Sequence, residues 1–366
     1  MKQYHDLAAK LLRELCVIPA PSHQEDLRAA YCAEKLREFG FTDVFVDEAQ
    51  NVICEIRAAH TDKTVVFAAH TDVVFPDTEP LPLQEDDANI YCPGGGDDTV
   101  CVAQLMSVMK WIKDTGKQPR YNTVFVFNSC EEGLGNLKGI RAVMERYGSS
   151  VIAFFTFDGQ YNAVVDRSVG SHRYKVTVRT KGGHSFNDFG NENAARVLAK
   201  GIQMIYEIPL PEVVKTTCNV GLISGGTSVN TIPQEASMLC EYRSESSQNL
   251  SYMKEAFGKV FAAMAETAQV EVELVGDRPG MKDVDPDAQK ALSDLCASIQ
   301  QKHGGIEPVR NSGSTDCNIP HSMGIPAVCA GTYLGGGAHT REEWVEKASI
   351  PVGIEIIADI MLTYFS

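Results

Sequence analysis

The sequence lacks any uninterrupted apolar stretch near the roughly 20 residues that a membrane-spanning helix requires. Its opening, MKQYHDLAAKLLRELC, reads instead as an amphipathic helix, which argues against a cleaved signal peptide and for a cytoplasmic location. Positive charge is scarce: 33 Lys and Arg face 48 Asp and Glu, for a formal net charge of −15. That balance excludes a nucleic-acid partner, because phosphates call for a cationic face. It also argues against docking on an anionic membrane. The 11 cysteines are odd in number and contain no CxxC pair. Cys54, Cys101, Cys240 and Cys329 sit in apolar runs, where a reduced thiol behaves as a small hydrophobe. A disulfide framework is not expected in so long a chain. Neither GxGxxG nor GKS/T occurs, which disfavours a nucleotide-binding α/β protein. Internal repeats and low-complexity linkers are missing too.

What is present suits a globular protein of two domains. At 366 residues the chain exceeds what one hydrophobic core normally supports, and 44% hydrophobic content is ordinary. The first half alternates helix and strand patterns, the mark of an α/β sheet. The opening helix carries Leu7, Leu11, Leu12 and Leu15 on one face, and a second runs from about Leu27 to Phe39, stopped by Gly40. TVVFAA (64–69), TVFVFN (123–128) and VIAFFTF (151–157) are short, β-branched and aromatic, as buried central strands are. From 171 to 282 the order becomes strand, helix, strand, strand, helix, strand, which predicts a ferredoxin-like insertion. The first domain, 1–170, then resumes over 283–366 with the helix DAQKALSDLCASIQQKH and the strand PAVCAG (326–331).

Three of the predicted strands run into metal-ligand chemistry. VVFAA leads to His70 and Asp72, VFVFN to Glu131-Glu132-Gly133, and FFTF to Asp158-Gly159. In open α/β sheets ligands settle outside the carboxyl ends of strands, so these groups converge on one cleft. Asp97 and Asp98 follow the turn Pro93-Gly94-Gly95-Gly96 and open another helix. A phosphate loop does not fit that turn, because the two aspartates would repel phosphate. So many carboxylates together need either divalent cations or retained protons. Imidazole with carboxylate suits zinc, with manganese or cobalt as alternatives. The HxD spacing puts both side chains on one face of a strand, where Asp72 can take the second ring N–H of His70. Within the doublet, one glutamate can bind metal while the other acts as general base. Asp98 reads as an outer contact of the site or a cap on the next helix.

With these motifs in order, the chain resembles the di-zinc peptidase family of peptidase T, carboxypeptidase G, carnosinase and succinyl-diaminopimelate desuccinylase. IPAPSHQED (18–26) is similar to that family's opening, and the resemblance covers nearly the whole chain. It implies a zinc-exopeptidase-like catalytic domain, an α/β/α layering of a mixed sheet, with an inserted α+β lid that also dimerises. By resemblance, His70, Asp97, Glu132, Asp158 and His339 hold two Zn2+ per chain, with Asp97 bridging. Asp72 then orients His70, and Glu131 is the general base. In KGGHSFNDFGNENAA (181–195), His184 corresponds to the lid histidine that reaches a neighbouring subunit's site to polarise the scissile carbonyl. GLISGGTSVNTIPQEASMLCEYR (221–243) resembles the family segment that supplies substrate contacts, here Asn230 and Arg243. NSGSTDCN (311–318), with Gly313 and Ser314, resembles the family stretch that lines the cleft. One departure is Thr99-Val100-Cys101, where family members often carry lysine; it touches no ligand but leaves the subfamily open.

The implied activity is hydrolysis of an amide bond in a small peptide or N-acyl amino acid by a homodimer. An aminopeptidase or tripeptidase of the peptidase-T-like branch is the favoured form. A deacylase or carboxypeptidase of the same family, and a catalytically silent metal-binding protein, are the alternatives. An exposed histidine needs no special explanation, so the role of His184 rests on resemblance. Arg243 suits a substrate carboxylate and an ion pair with Glu235 or Glu241 equally.

Overall fold

A computed structural model describes residues 1–133 and 135–366. The chain forms two compact units, one of Met1–Ser168 with Lys282–Ser366 and one of Val169–Met281.

The larger unit is built on a mixed sheet of eight strands. In chain order they are β1 (Val44–Val46), β2 (Val52–Ile56), β3 (Thr64–His70), β4 (Asn122–Asn128), β5 (Val151–Phe157), β6 (Ala163–Ser168), β7 (Val309–Gly313) and β8 (Ala327–Ala330). They lie side by side in the order β1-β2-β4-β3-β5-β8-β6-β7. β4, β3, β5 and β8 run parallel, while β2 and β6 reverse the direction on either side. Alternate residues of the central strands feed two cores, as the two-residue period of a strand requires. Val65, Phe67, Phe125, Phe155 and Phe157 join one with helices α1 (Lys2–Cys16), α3 (Val100–Thr115) and α6 (Ser349–Leu362). Val66, Ala68, Val124, Val126 and Phe154 join the other with α4 (Lys138–Tyr147). Phe67 stacks between Phe125 at 5.8 Å and Phe155 at 5.4 Å between ring centroids, an apolar layer directly beneath the strand ends. Helices α2 (Asp26–Glu38) and α5 (Pro286–Gly304) complete the cover. Gly40 stops the chain after α2 with φ 91°, a conformation glycine takes freely.

The smaller unit has the βαββαβ order that the sequence predicts. Its strands Gly170–Arg179, Thr216–Gly225, Glu235–Ser244 and Gln269–Arg278 form one antiparallel sheet, with the fourth strand beside the first and the third beside both first and second. That is the ferredoxin-like arrangement. Helices Ala194–Tyr206 and Ser247–Ala265 bury Val197, Leu198, Met253, Phe257 and Phe261 against Val176, Val178, Met238 and Tyr242. The Asn193 side chain caps the first helix and Ser246 the second, each accepting a main-chain N–H three residues on.

Candidate metal centre

Three adjacent parallel strands deliver the chemistry. β3 lies between β4 and β5, with His70 level with Asn128 and Ala68 level with Thr156. Cys130, at φ 58°, turns the chain out of β4 just before the glutamate doublet. β5 ends at Phe157, immediately before Asp158.

His70 is buried, and its Nε2 stands 3.1 Å from Asp97 Oδ1. Its main-chain N–H donates to Asp98 Oδ2 at 3.0 Å. Asp98 therefore touches the site from outside; α3 starts at Val100 with no side-chain cap, so the capping alternative does not hold. The Nδ1 of His70 is 3.1 Å from the main-chain oxygen of Asp72 and 3.5 Å from its carboxylate. The nearer acceptor is thus the backbone, not the side chain that the HxD spacing suggests. The Asp72 carboxylate has further partners. It accepts the main-chain N–H of Glu131 at 2.9 Å and of Glu132 at 3.0 Å, together with the hydroxyl of Ser22 at 2.7 Å. One buried aspartate thereby fixes the doublet against the end of β3.

Asp97 sits in a wide turn over Gly95–Thr99, where it and Asp98 leave helical angles and are joined by a cis peptide. Its second oxygen is 3.0 Å from His339 Nε2, which is itself 3.3 Å from Glu132 Oε1. Two ligand groups result, His70–Asp97–Asp158 and Asp97–Glu132–His339. Within each, the candidate donor atoms lie within 4.8 Å of one another, and Asp97 is common to both.

Electrostatics show what this packing demands. Burial pushes Glu132 up to about 9 and Asp158 up to about 7, with the charge of Asp97 adding to both. The Asp97 hydrogen bond lifts His339 to about 9. Burial opposes a charged His70, yet hydrogen bonds to Asp72 and Asp97 hold its imidazolium well above the usual range. For Asp97 burial also works upward, but hydrogen bonds from His339 and His70 keep it well below the usual carboxylate range. On its own, then, the cluster retains surplus protons, as crowded carboxylates must. Among the described residues, Glu132 Oε1, apart from its ion pair with His339, and Asp98 Oδ1 are buried without a hydrogen-bond partner. A set of imidazoles and carboxylates with an orphaned ligand oxygen fits divalent cations of the zinc type.

The remaining candidates are carried by other segments. Gly313 ends the edge strand β7, with Ser314 next to it. His184, Asn230 and Arg243 belong to the smaller unit. Within that unit His184 pairs with Thr231, and Ser185 N–H donates to Asn230 O at 2.9 Å. The Nδ1 of His184 accepts the N–H of Phe186 at 3.3 Å and of Asn187 at 3.4 Å. Arg243 makes a two-pronged ion pair with Glu241 at 2.7 and 3.0 Å, so the structural alternative is realised here.

Sequence reasoning overlooked the groups that brace the site. Ser22 and Glu25 fall in IPAPSHQED, which served only as a landmark; Glu25 Oε1 accepts the Cys130 N–H at 3.0 Å, on the way into the doublet. Glu343 closes GGGAHTREE, four residues past His339, and is buried. Arg28 carried no signal beyond its place on the second predicted helix.

Residues 66–363 match Peptidase family M20/M25/M40. The uncharacterized protein YqjE of Bacillus subtilis is 24% identical over 341 residues, covering 87% of this chain and 89% of that protein. A Staphylococcus aureus tripeptidase superposes with a TM-score of 0.78 at 21% identity, over 98% of each chain. Aminopeptidase PepT from Bacillus cereus does so at 0.74 and 22%, over 97% of each. At such identities the two structures establish a shared fold.

Proposed function

The chain belongs to Peptidase family M20/M25/M40, as a hydrolase of the metallopeptidase kind, and from that premise we propose that it cleaves small peptides as an aminopeptidase or tripeptidase with two zinc ions per chain. The observation that carries this reading is the pair of ligand groups sharing Asp97, set beside a glutamate doublet that Asp72 holds by its amides. The tripeptidase and aminopeptidase among the similar structures support the branch.

His70, Asp97 and Asp158 would hold one cation, and Asp97, Glu132 and His339 the other. When bound, such cations supply Lewis acidity toward a carbonyl oxygen and lower the pKa of water. Glu131 takes a proton from the attacking water and hands it to the leaving nitrogen, as a general base that becomes an acid. Asp72 keeps Glu131 and Glu132 in separate tasks by anchoring both main-chain amides. Because Nδ1 of His184 is an acceptor, its proton sits on Nε2. That N–H donates to the scissile carbonyl of a neighbouring subunit in a homodimer formed through the smaller unit. The exposed Leu222 and Ile223 on the edge strand Thr216–Gly225 support that contact. Asn230, Arg243, Gly313 and Ser314 contact the substrate, Arg243 by exchanging Glu241 for the substrate carboxylate. No described helix is long and apolar enough to cross a membrane, and eleven unpaired thiols support a cytoplasmic location.

The test combines metal analysis of the purified protein with a panel of free-amine and N-blocked peptides. About two zinc ions per chain and hydrolysis of free-amine di- or tripeptides are expected. Less than about one metal per chain, with no rescue by added zinc or manganese, overturns the metal reading. Turnover of N-blocked substrates alone makes the protein a deacylase.

A further inference from the structure

The glycine turn before Asp97 is an anion cradle, and the protein fills it with its own carboxylate. Residues 344–346 pair antiparallel with 89–91, Trp344 opposite Tyr91 and Val345 opposite Ile90. The ladder continues one step, with Cys92 N–H donating to Glu343 O at 3.0 Å. It cannot go further in the ordinary way, because Pro93 has no N–H. From there the Glu343 side chain takes over as acceptor. Its Oε2 receives the Gly94 N–H at 2.7 Å, and its Oε1 those of Gly96 at 2.9 Å and Asp97 at 2.7 Å. Gly94, at φ 72°, turns successive amides toward one centre, an arrangement that binds anions. The space is fully used: a Cβ on Gly96 would stand 2.6 Å from Tyr333 Oη and 2.8 Å from Glu343 Oε1.

We propose that Glu343 is a positioning residue that sets Asp97 for both metals and ties it to His339. His339 and Glu343 lie on one short segment, so the clamp that holds the Asp97 backbone also fixes where His339 leaves the sheet. Three converging N–H donors require an acceptor with two oxygens. A glutamine offers one, and turns an NH2 toward an amide N–H. The inference rests on the metal reading above, and the experiment separates the two.

Full-length protein is stripped with chelator and titrated with Zn2+ by calorimetry, and with Co2+ by absorption spectroscopy. Wild type, Glu343→Gln, Glu342→Gln and Asp97→Asn are compared, together with the Glu343→Gln/Asp97→Asn double variant. Absence of metal binding by wild type would overturn the metal reading and this inference with it. Given wild-type binding, Glu343→Gln should weaken at least one site by about 10–100-fold, the usual effect of losing a group that orients a ligand. Its Co2+ spectrum should change, while Glu342→Gln, on the exposed neighbour, matches wild type. In the Asp97→Asn background the Glu343→Gln loss should vanish, because both changes act on one ligand. Wild-type affinities in Glu343→Gln, or a loss that simply adds to that of Asp97→Asn, overturns the proposal. Should Glu343→Gln not fold, Glu343→Asp, which keeps the charge on a shorter arm, is titrated instead with the same expectation. Failure of both to fold also overturns it, since Glu343 would then serve the fold and not the ligand.

Discussion

Glu131 and Glu132 are chemically identical neighbours, and their amides on the two oxygens of Asp72 give them fixed and different directions. Glu131→Ala should lower turnover by about 10²–10⁴-fold, the usual share of general acid–base catalysis, with metal content near normal. Wild-type-like rates in that variant would remove Glu131 from the base role. Asp72→Asn is expected to act differently. It turns one acceptor into an NH2 that faces a main-chain N–H, so the doublet shifts and metal affinity falls about 10–100-fold. Equilibrium dialysis of the stripped variant measures it. Most candidate ligands were legible at this scale, because His70, Glu132 and Asp158 stand where apolar strands give out. Their bracing groups were not: Ser22 reaches Asp72 across 50 residues, and no local pattern marks such a contact.

Among the elements, α2 carries the least expected part of the site's support. Arg28 is fully buried, and its guanidinium donates to the Leu15, Ile18 and Thr71 carbonyls and to Thr99 Oγ1. Thr71 lies between His70 and Asp72, and Thr99 follows the Asp97–Asp98 pair. One helix therefore joins the end of α1 to both ligand loops. Arg28→Met preserves much of the apolar stem but strands the Ile18 and Thr71 carbonyls, each worth about 1–3 kcal/mol when left unsatisfied, while the Leu15 oxygen keeps the Ile18 N–H. A destabilisation above about 3 kcal/mol is expected in urea unfolding of the metal-free protein. A cost below about 1 kcal/mol would show that water replaces those bonds. The elements themselves were readable in the sequence, since β3, β4 and β5 are continuous apolar runs and the smaller unit alternates cleanly. What periodicity could not supply is the wide turn at Gly95–Thr99, whose backbone is set by Glu343 from the far end of the chain.

Across the whole molecule, the cluster couples stability to pH and to metal. Glu132 and His339 are raised to about 9 and Asp158 to about 7, so the metal-free fold holds protons that the unfolded chain releases earlier. More protons bound in the folded state means that stability falls as pH rises. For the carboxyls this loss begins above their ordinary range near 4 and runs to about 7 for Asp158 and about 9 for Glu132; for His339 it lies between about 6.5 and about 9. The melting temperature of chelated protein is therefore expected to drop from pH 5 to pH 9. Added zinc should raise it most at the alkaline end, because metal binding must displace those protons. Calorimetry in buffers of different ionisation enthalpy should show proton release on metal binding near neutral pH. A chelated protein whose melting temperature is flat or rising over that range contradicts the coupling.

The sequence by itself determined the order of elements, the two-part layering and the identity of the ligand-type side chains. Those follow from local hydrophobic period and from chemistry placed at strand ends, both written within a few residues. Only the tertiary structure decided which oxygen of which carboxylate meets which partner. Asp97 receives His339 from 242 residues away and its backbone amide is held by Glu343 from 246. Asp72, spaced to orient a histidine, stands 3.5 Å from its ring and holds the doublet by both amides as well. Contacts at such separations are fixed by packing of the sheet and its loops, and leave no periodic trace in the chain.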